Sequence, residues 1–126
     1  MKNSKIANIN ITIKSLFNKW LHITRIFHNL TPQEIDILSL LLYYHYEYKK
    51  DITNDKILWK MVFDYDTKIL IREELGVKDQ GIQNALTALR NKGVIKDNKI
   101  LSGYIPQLEN KSNNFKIIFN FNIIHE

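Results

Sequence analysis

Gln80, Gln83, Asn84 and Thr87 stand close together in "IREELGVKDQGIQNALTALRNKGVI", residues 71–95, with Lys78 before them and Arg90 and Lys92 behind. Glutamine and asparagine amides bond bidentately to an adenine edge, lysine reaches guanine or a phosphate, and a threonine methyl touches the methyl of thymine. The group therefore has the chemistry of base-edge reading, with Gln80, Gln83, Asn84 and Thr87 against bases and Lys78, Arg90, Lys92 and Lys99 against phosphates. Polar residues also solvate the outer face of any amphipathic helix, so the meaning of the group depends on what positions it.

Other chemistry has less to stand on. His22, His28, His45 and His125 have no carboxylate or cysteine at ligand spacing, and the chain contains no cysteine, which excludes disulfides and thiolate metal sites. Asp64 and Asp66 resemble a carboxylate pair, but helix capping accounts for both. No glycine-rich phosphate loop is present, and Gly76 and Gly81 read as helix-end residues. The expectation is a protein without enzymatic activity, cofactor or metal.

The elements around the amides follow from apolar spacing. Ile71 and Leu75 share one face of a short helix that Gly76 can close in the left-handed conformation. Ile82, Leu86 and Leu89 fall at i, i+4 and i+7, predicting a second helix whose opposite face shows the amides. That helix ends at Gly93, Val94 and Ile95 begin a strand, Asp97 and Asn98 make a turn, and Ile100 and Leu101 resume.

Upstream, "LTPQEIDILSLLLYYHYEYKK" predicts a long helix. Thr31 caps it, Pro32 is its first residue, Glu34 completes a capping box and Leu30 staples onto Ile35. Its core stripe is Ile35, Leu38, Leu41, Leu42 and Tyr46. Tyr43, Tyr44 and Tyr48 are too many for one buried face, which makes them interface candidates or half-buried packing. Ile57, Leu58, Met61 and Val62 predict a further helical face capped by Asn54 or Asp55. Trp59 lies outside that stripe, as a pocket filler or partner anchor, and Asp66 is placed to cap the next helix.

The two ends of the chain alternate. Ala7, Ile9, Ile11 and Ile13 predict an N-terminal strand, and Phe115, Ile117, Phe119, Phe121 and Ile123 a C-terminal one, each the other's natural partner. Between the first strand and Leu30, the spacing of Leu16, Phe17, Trp20, Leu21, Ile23 and Phe27 predicts an amphipathic helix whose polar side carries Lys19, His22, Arg25 and His28.

Helix, turn, helix, strand, loop, strand is the order of a winged helix, and residues 31–123 resemble a winged helix-turn-helix domain, down to the "LRNKGVI" that closes the second helix. The pattern of "LTPQEIDILSLLL", "IREELGV" and "LRNKGVI" is also similar to small winged-helix proteins of crAss-like tailed phages, over residues 16–123. The resemblance implies an α+β class: a winged helix-turn-helix over 31–126, with a basic N-terminal strand and helix, residues 1–30, added to it and the end strands paired. Such folds serve both DNA readers and assembly modules.

At 126 residues and 44% hydrophobic content the chain suits one small domain. No apolar run approaches a membrane span and the first residues lack a secretory signal, so a cytoplasmic protein, or one inside a virion, is expected. Of the 18 basic residues, Lys2, Lys5, Lys14, Lys19 and Arg25 form an acid-free N-terminal arm, leaving 13 against all 13 acidic residues elsewhere. The excess charge thus sits outside the helix-turn-helix. Locally, Lys78, Arg90, Lys92, Lys96, Lys99 and Lys111 outnumber Asp79, Asp97 and Glu109. Two readings follow: a DNA-binding regulator of modest affinity that forms a homo-oligomer, or a virion adaptor in which the winged helix, the tyrosines and Trp59 contact other virion proteins.

Overall fold

The computed structural model describes residues 6–108 and 114–125. Six helices and one two-stranded antiparallel sheet, among the described residues, make an α+β class in which helix predominates. The helices are α1 (Ile13–Ile23), α2 (Arg25–His28), α3 (Pro32–Lys49), α4 (Asp55–Val62), α5 (Tyr65–Leu75) and α6 (Asp79–Asn91). Strands β1 (Ile95–Lys96) and β2 (Lys99–Ile100) follow, then a short 3-10 helix at Ser102–Tyr104.

Helix α3 starts as its sequence dictates. The Thr31 hydroxyl accepts from the Glu34 amide at 3.2 Å, the Glu34 carboxylate accepts from the Thr31 amide at 3.0 Å, and Pro32 follows the cap. Such a reciprocal box satisfies two amides that the helix itself leaves unpaired. The middle of α3, residues 37–42, is buried all round, with Ile37, Leu38, Leu40, Leu41 and Leu42 apolar and Ile35 just before them, and a helix of that kind must be enclosed. It is enclosed, because α1, α4, α5 and α6 all pack against it.

At the N-terminal end the structure departs from the sequence expectation. Residues 6–12 form no strand, Thr12 caps α1 through the Ser15 amide, and Ile13 is already helical. The expected helix to Leu30 breaks at Thr24, whose hydroxyl donates to the Trp20 carbonyl at 2.8 Å. His28 fastens the turn that follows. Its Nδ1 accepts from the Leu30 amide at 3.1 Å, which leaves Nε2 to donate to the Leu21 carbonyl at 2.7 Å. The C-terminal alternation likewise forms no ladder: residues 114–125 run without strand or helix, and the expected pairing of the two chain ends is absent from the described residues.

Helix α4 is turned by about one residue from its predicted face. Trp59, Phe63, Leu58 and Val62 are buried, whereas Ile57 and Met61 are exposed. Two large aromatic rings remove more apolar surface from water than Ile57 and Met61 would, and that difference selects the face. Asn54 caps α4 through the Ile57 amide. Asp64 caps α5, so Asp66, the expected cap, lies one step inside the first turn. Gly76 ends α5 with φ of 66°, as expected, but Gly81 lies within α6 and ends nothing. No helix among the described residues is long and apolar enough to cross a membrane.

Candidate nucleic-acid interface

Three residues, Gly76, Val77 and Lys78, join α5 to α6. Helix α6 seats Ile82, Ala85, Leu86 and Leu89 in the core, each at most 5% exposed. Those four centre one side of the helical wheel, and the opposite side carries Gln80, Asn84, Thr87 and Asn91, all exposed. Their spacing of four, three and four places them in one line along the helix. Gln83, half-buried, sits on the flank of that line.

Gln80 Nε2 donates to Asn84 Oδ1 at 2.8 Å. The bond consumes one donor and one acceptor, and it leaves the Asn84 amide group and the Gln80 carbonyl as a matched donor and acceptor on the outer face. Such a pair is what an adenine edge requires.

Beyond α6, Gly93 adopts φ of 77° and the Val94 amide donates to the Leu89 carbonyl at 2.9 Å, turning the chain into the hairpin. Ile95 pairs with Ile100 and Lys96 with Lys99. Asp97 and Asn98 between them have φ of 53° and 58°. Two successive left-handed residues make the turn whose twist suits a tight hairpin. Lys96 and Lys99 stand directly across from each other, an arrangement that costs stability in an isolated ladder. Asp55 offsets part of that cost with an ion pair to Lys99 at 3.3 Å.

The basic residues proposed for phosphates part company here. Lys78, at the N-cap of α6, and Arg90 are exposed. Lys92 is exposed as well but engaged: its Nζ lies 2.6 Å from the nearly buried Glu34 carboxylate, tying the end of α6 to the capping box of α3. Burial pushes the Glu34 carboxyl up, but the Lys92 ammonium and the Thr31 amide outweigh it and hold the group below the usual carboxylate range. Of the N-terminal basic arm, Lys19 and Arg25 are exposed, Lys14 pairs with Glu74 of α5, and Lys2 and Lys5 lie outside the described residues, as do Glu109 and Lys111.

The aromatic residues named as a protein interface are drawn into the fold. Trp59 is 5% exposed and stacks on His45 with ring centroids 4.1 Å apart, so it is a core residue and offers no anchor. Tyr43, Tyr44 and Tyr48 are half-buried, Tyr44 meeting each of the other two, and the Tyr48 hydroxyl is 2.8 Å from the Thr67 hydroxyl. An open groove of about 480 Å³ lies beside the hairpin, lined by His45, Lys49, Trp59, Lys96, Lys99 and Leu101 among others. Burial, reinforced by Lys49, pushes the His45 imidazole below its ordinary value against the opposing pull of Asp55. No cluster of metal-ligating side chains occurs among the described residues.

In comparisons with known proteins, no family model, no curated protein and no solved structure matches the chain.

Proposed function

We propose that the protein binds double-stranded DNA as a winged helix-turn-helix, with α6 in the major groove and the β1–β2 hairpin as the wing. The observation that carries this reading is the outer line of α6, where Gln80, Asn84, Thr87 and Asn91 stand exposed with no large apolar residue among them. An adaptor helix would show apolar side chains there, since protein interfaces bury an apolar centre. The facing Lys96 and Lys99 support it, because an anionic partner relieves their repulsion.

The biological role that suits such a module is regulation of transcription or replication, and the resemblance to small winged-helix proteins of crAss-like phages makes a phage-encoded regulator the reading we adopt. Affinity is modest, because the chain beyond residue 30 is balanced in formal charge and Lys92 is occupied by Glu34. Fluorescence anisotropy with random duplex DNA tests this. The expected result is a Kd of about 10⁻⁴–10⁻⁶ M that weakens steeply as salt rises, and weakens further in the Lys78→Ala, Arg90→Ala double variant. Absence of binding at low salt would sink the proposal.

The virion-adaptor reading retains one supporting observation, the exposed Ile118, Phe121, Ile123 and Ile124 near the C-terminal end. An adaptor associates through apolar area and scarcely responds to salt, so the same titration separates the two readings.

A further inference from the structure

Residues 115–125 and 6–11 form neither helix nor strand, and among the described residues they make no backbone hydrogen bond to any other segment. The C-terminal segment alternates strictly, with Phe115, Ile117, Phe119, Phe121 and Ile123 on one side. Its first half lies over α1 and α2: Phe115 meets Trp20 edge-on at 5.8 Å and Phe119 stacks on Phe27 at 6.1 Å. Its second half covers nothing, Phe121 and Ile123 being 78% and 77% exposed. A segment with strand spacing, backbone groups that pair with no other described segment, and an apolar side half covered offers what a neighbouring strand would complete.

We infer that two copies of this chain pair through residues 115–123 as antiparallel strands related by a two-fold axis at Phe119, forming a homodimer. The pairing pattern fixes the register. With Phe119 opposite its own copy, Phe115 faces Ile123 and Ile117 faces Phe121, so each outer pair matches an aromatic ring with a β-branched side chain, a favourable cross-strand combination. On the other face, Lys116 meets Asn122 and Ile118 meets Asn120, and no like charges oppose one another. Parallel in-register pairing would instead set Lys116 against Lys116. Two-fold symmetry also gives each copy the same covered patch, as closed dimers require.

On the apolar side, Ile26, Phe27, Phe121 and Ile123 are each 70% exposed or more. At roughly 100–150 Å² apiece they offer about 400–600 Å², the upper part of the range for the largest apolar patch of an ordinary monomer, and the paired backbones add to the area covered towards the about 800 Å² per partner of a standard interface. Antiparallel pairing brings Phe121 and Ile123 of one copy toward Ile26 and Phe27 of the other, which share the apolar side of the ribbon. The dimer does not depend on whether α6 binds DNA.

Sedimentation velocity on the full chain tests the pairing. The expected mass is twice the 15.0 kDa of one chain, and Phe121→Lys with Ile123→Lys raises the dissociation constant at least tenfold while the helical circular dichroism is unchanged. The native chain has no cysteine, which allows a second readout. Residues opposed across an antiparallel pair lie about 4.5–5.5 Å apart between Cα atoms, within disulfide range, so Phe119→Cys forms a covalent dimer on mild oxidation. Lys116→Cys does not, its two copies being about 20 Å apart in this register. A monomer at about 10⁻⁴ M, a dimer indifferent to the double lysine variant, or crosslinking at position 116 in place of 119 would each overturn the inference.

Discussion

Arg90 and Lys92 are two positions apart and equally charged, but their surroundings give them different work. Lys92 holds the Glu34 carboxylate at 2.6 Å, whereas Arg90 is exposed at the side of the amide line. Arg90→Ala is therefore expected to weaken DNA binding and flatten its salt dependence by about one phosphate contact, and Lys92→Ala to do so far less, as anisotropy at several salt concentrations will show. Lys92→Ala acts on stability instead, costing about 1–2 kcal/mol at neutral pH because it strips a partner from a nearly buried carboxylate. The Glu34 carboxyl titrates below its ordinary 4.5, so the stability it contributes is present above that value and lost as pH falls through the lowered one. Urea unfolding should accordingly show the gap between native and Lys92→Ala narrowing from pH 7 to about pH 3, and an equal gap at both would contradict the assignment. The amides on α6 could be read from the sequence because helical spacing decides which residues face outward. The fate of Lys92 could not, since Glu34 is 58 positions away and only the packing of α3 on α6 brings them together.

Local chemistry decided helix ends more reliably than strands. The Thr31–Glu34 box and the Gly76 closure were legible because each needs only a few neighbouring residues. Gly76 sits at φ of 66° with open space where a Cβ would point, so Gly76→Ala pays only backbone strain, about 1–2 kcal/mol of lost stability, readable as a lower thermal midpoint. In the hairpin the reverse change helps: Asn98, at φ of 58°, replaced by glycine should raise stability by up to about 0.5 kcal/mol, and a loss larger than that would contradict the left-handed turn. Alternation at the chain ends misled for a physical reason. Period two reports an extended backbone with two unlike sides, but a ladder requires a second strand in reach, and none lies beside either end among the described residues. For α4 the spacing was right and half of the face was, Leu58 and Val62 being buried, but the sizes of Trp59 and Phe63 outweighed the shared periodicity of Ile57 and Met61.

Taken together, the chain's charge is segregated and its apolar surface is concentrated. The formal excess of +5 belongs to the first 30 residues, and the largest exposed apolar side chains belong to α2 and the two ends of the chain. The first 30 residues therefore carry both the charge excess and part of the exposed apolar surface, whereas the outer face of α6 is an uncharged amide line. Most helices followed from periodicity and the α+β class from the order of elements it gave, but charge balance alone could not say which surface α6 serves, because that depends on which lysines the fold occupies. The central claim is that α6 and the hairpin contact duplex DNA, and an amide chemical-shift titration of the isotopically labelled protein with a short random duplex tests it most directly. The account predicts that Gln80, Asn84, Thr87, Asn91 and Lys96 shift first and most, with the shifts reversed by added salt. Shifts confined to residues 6–30 and 114–125, with α6 unmoved, would contradict it.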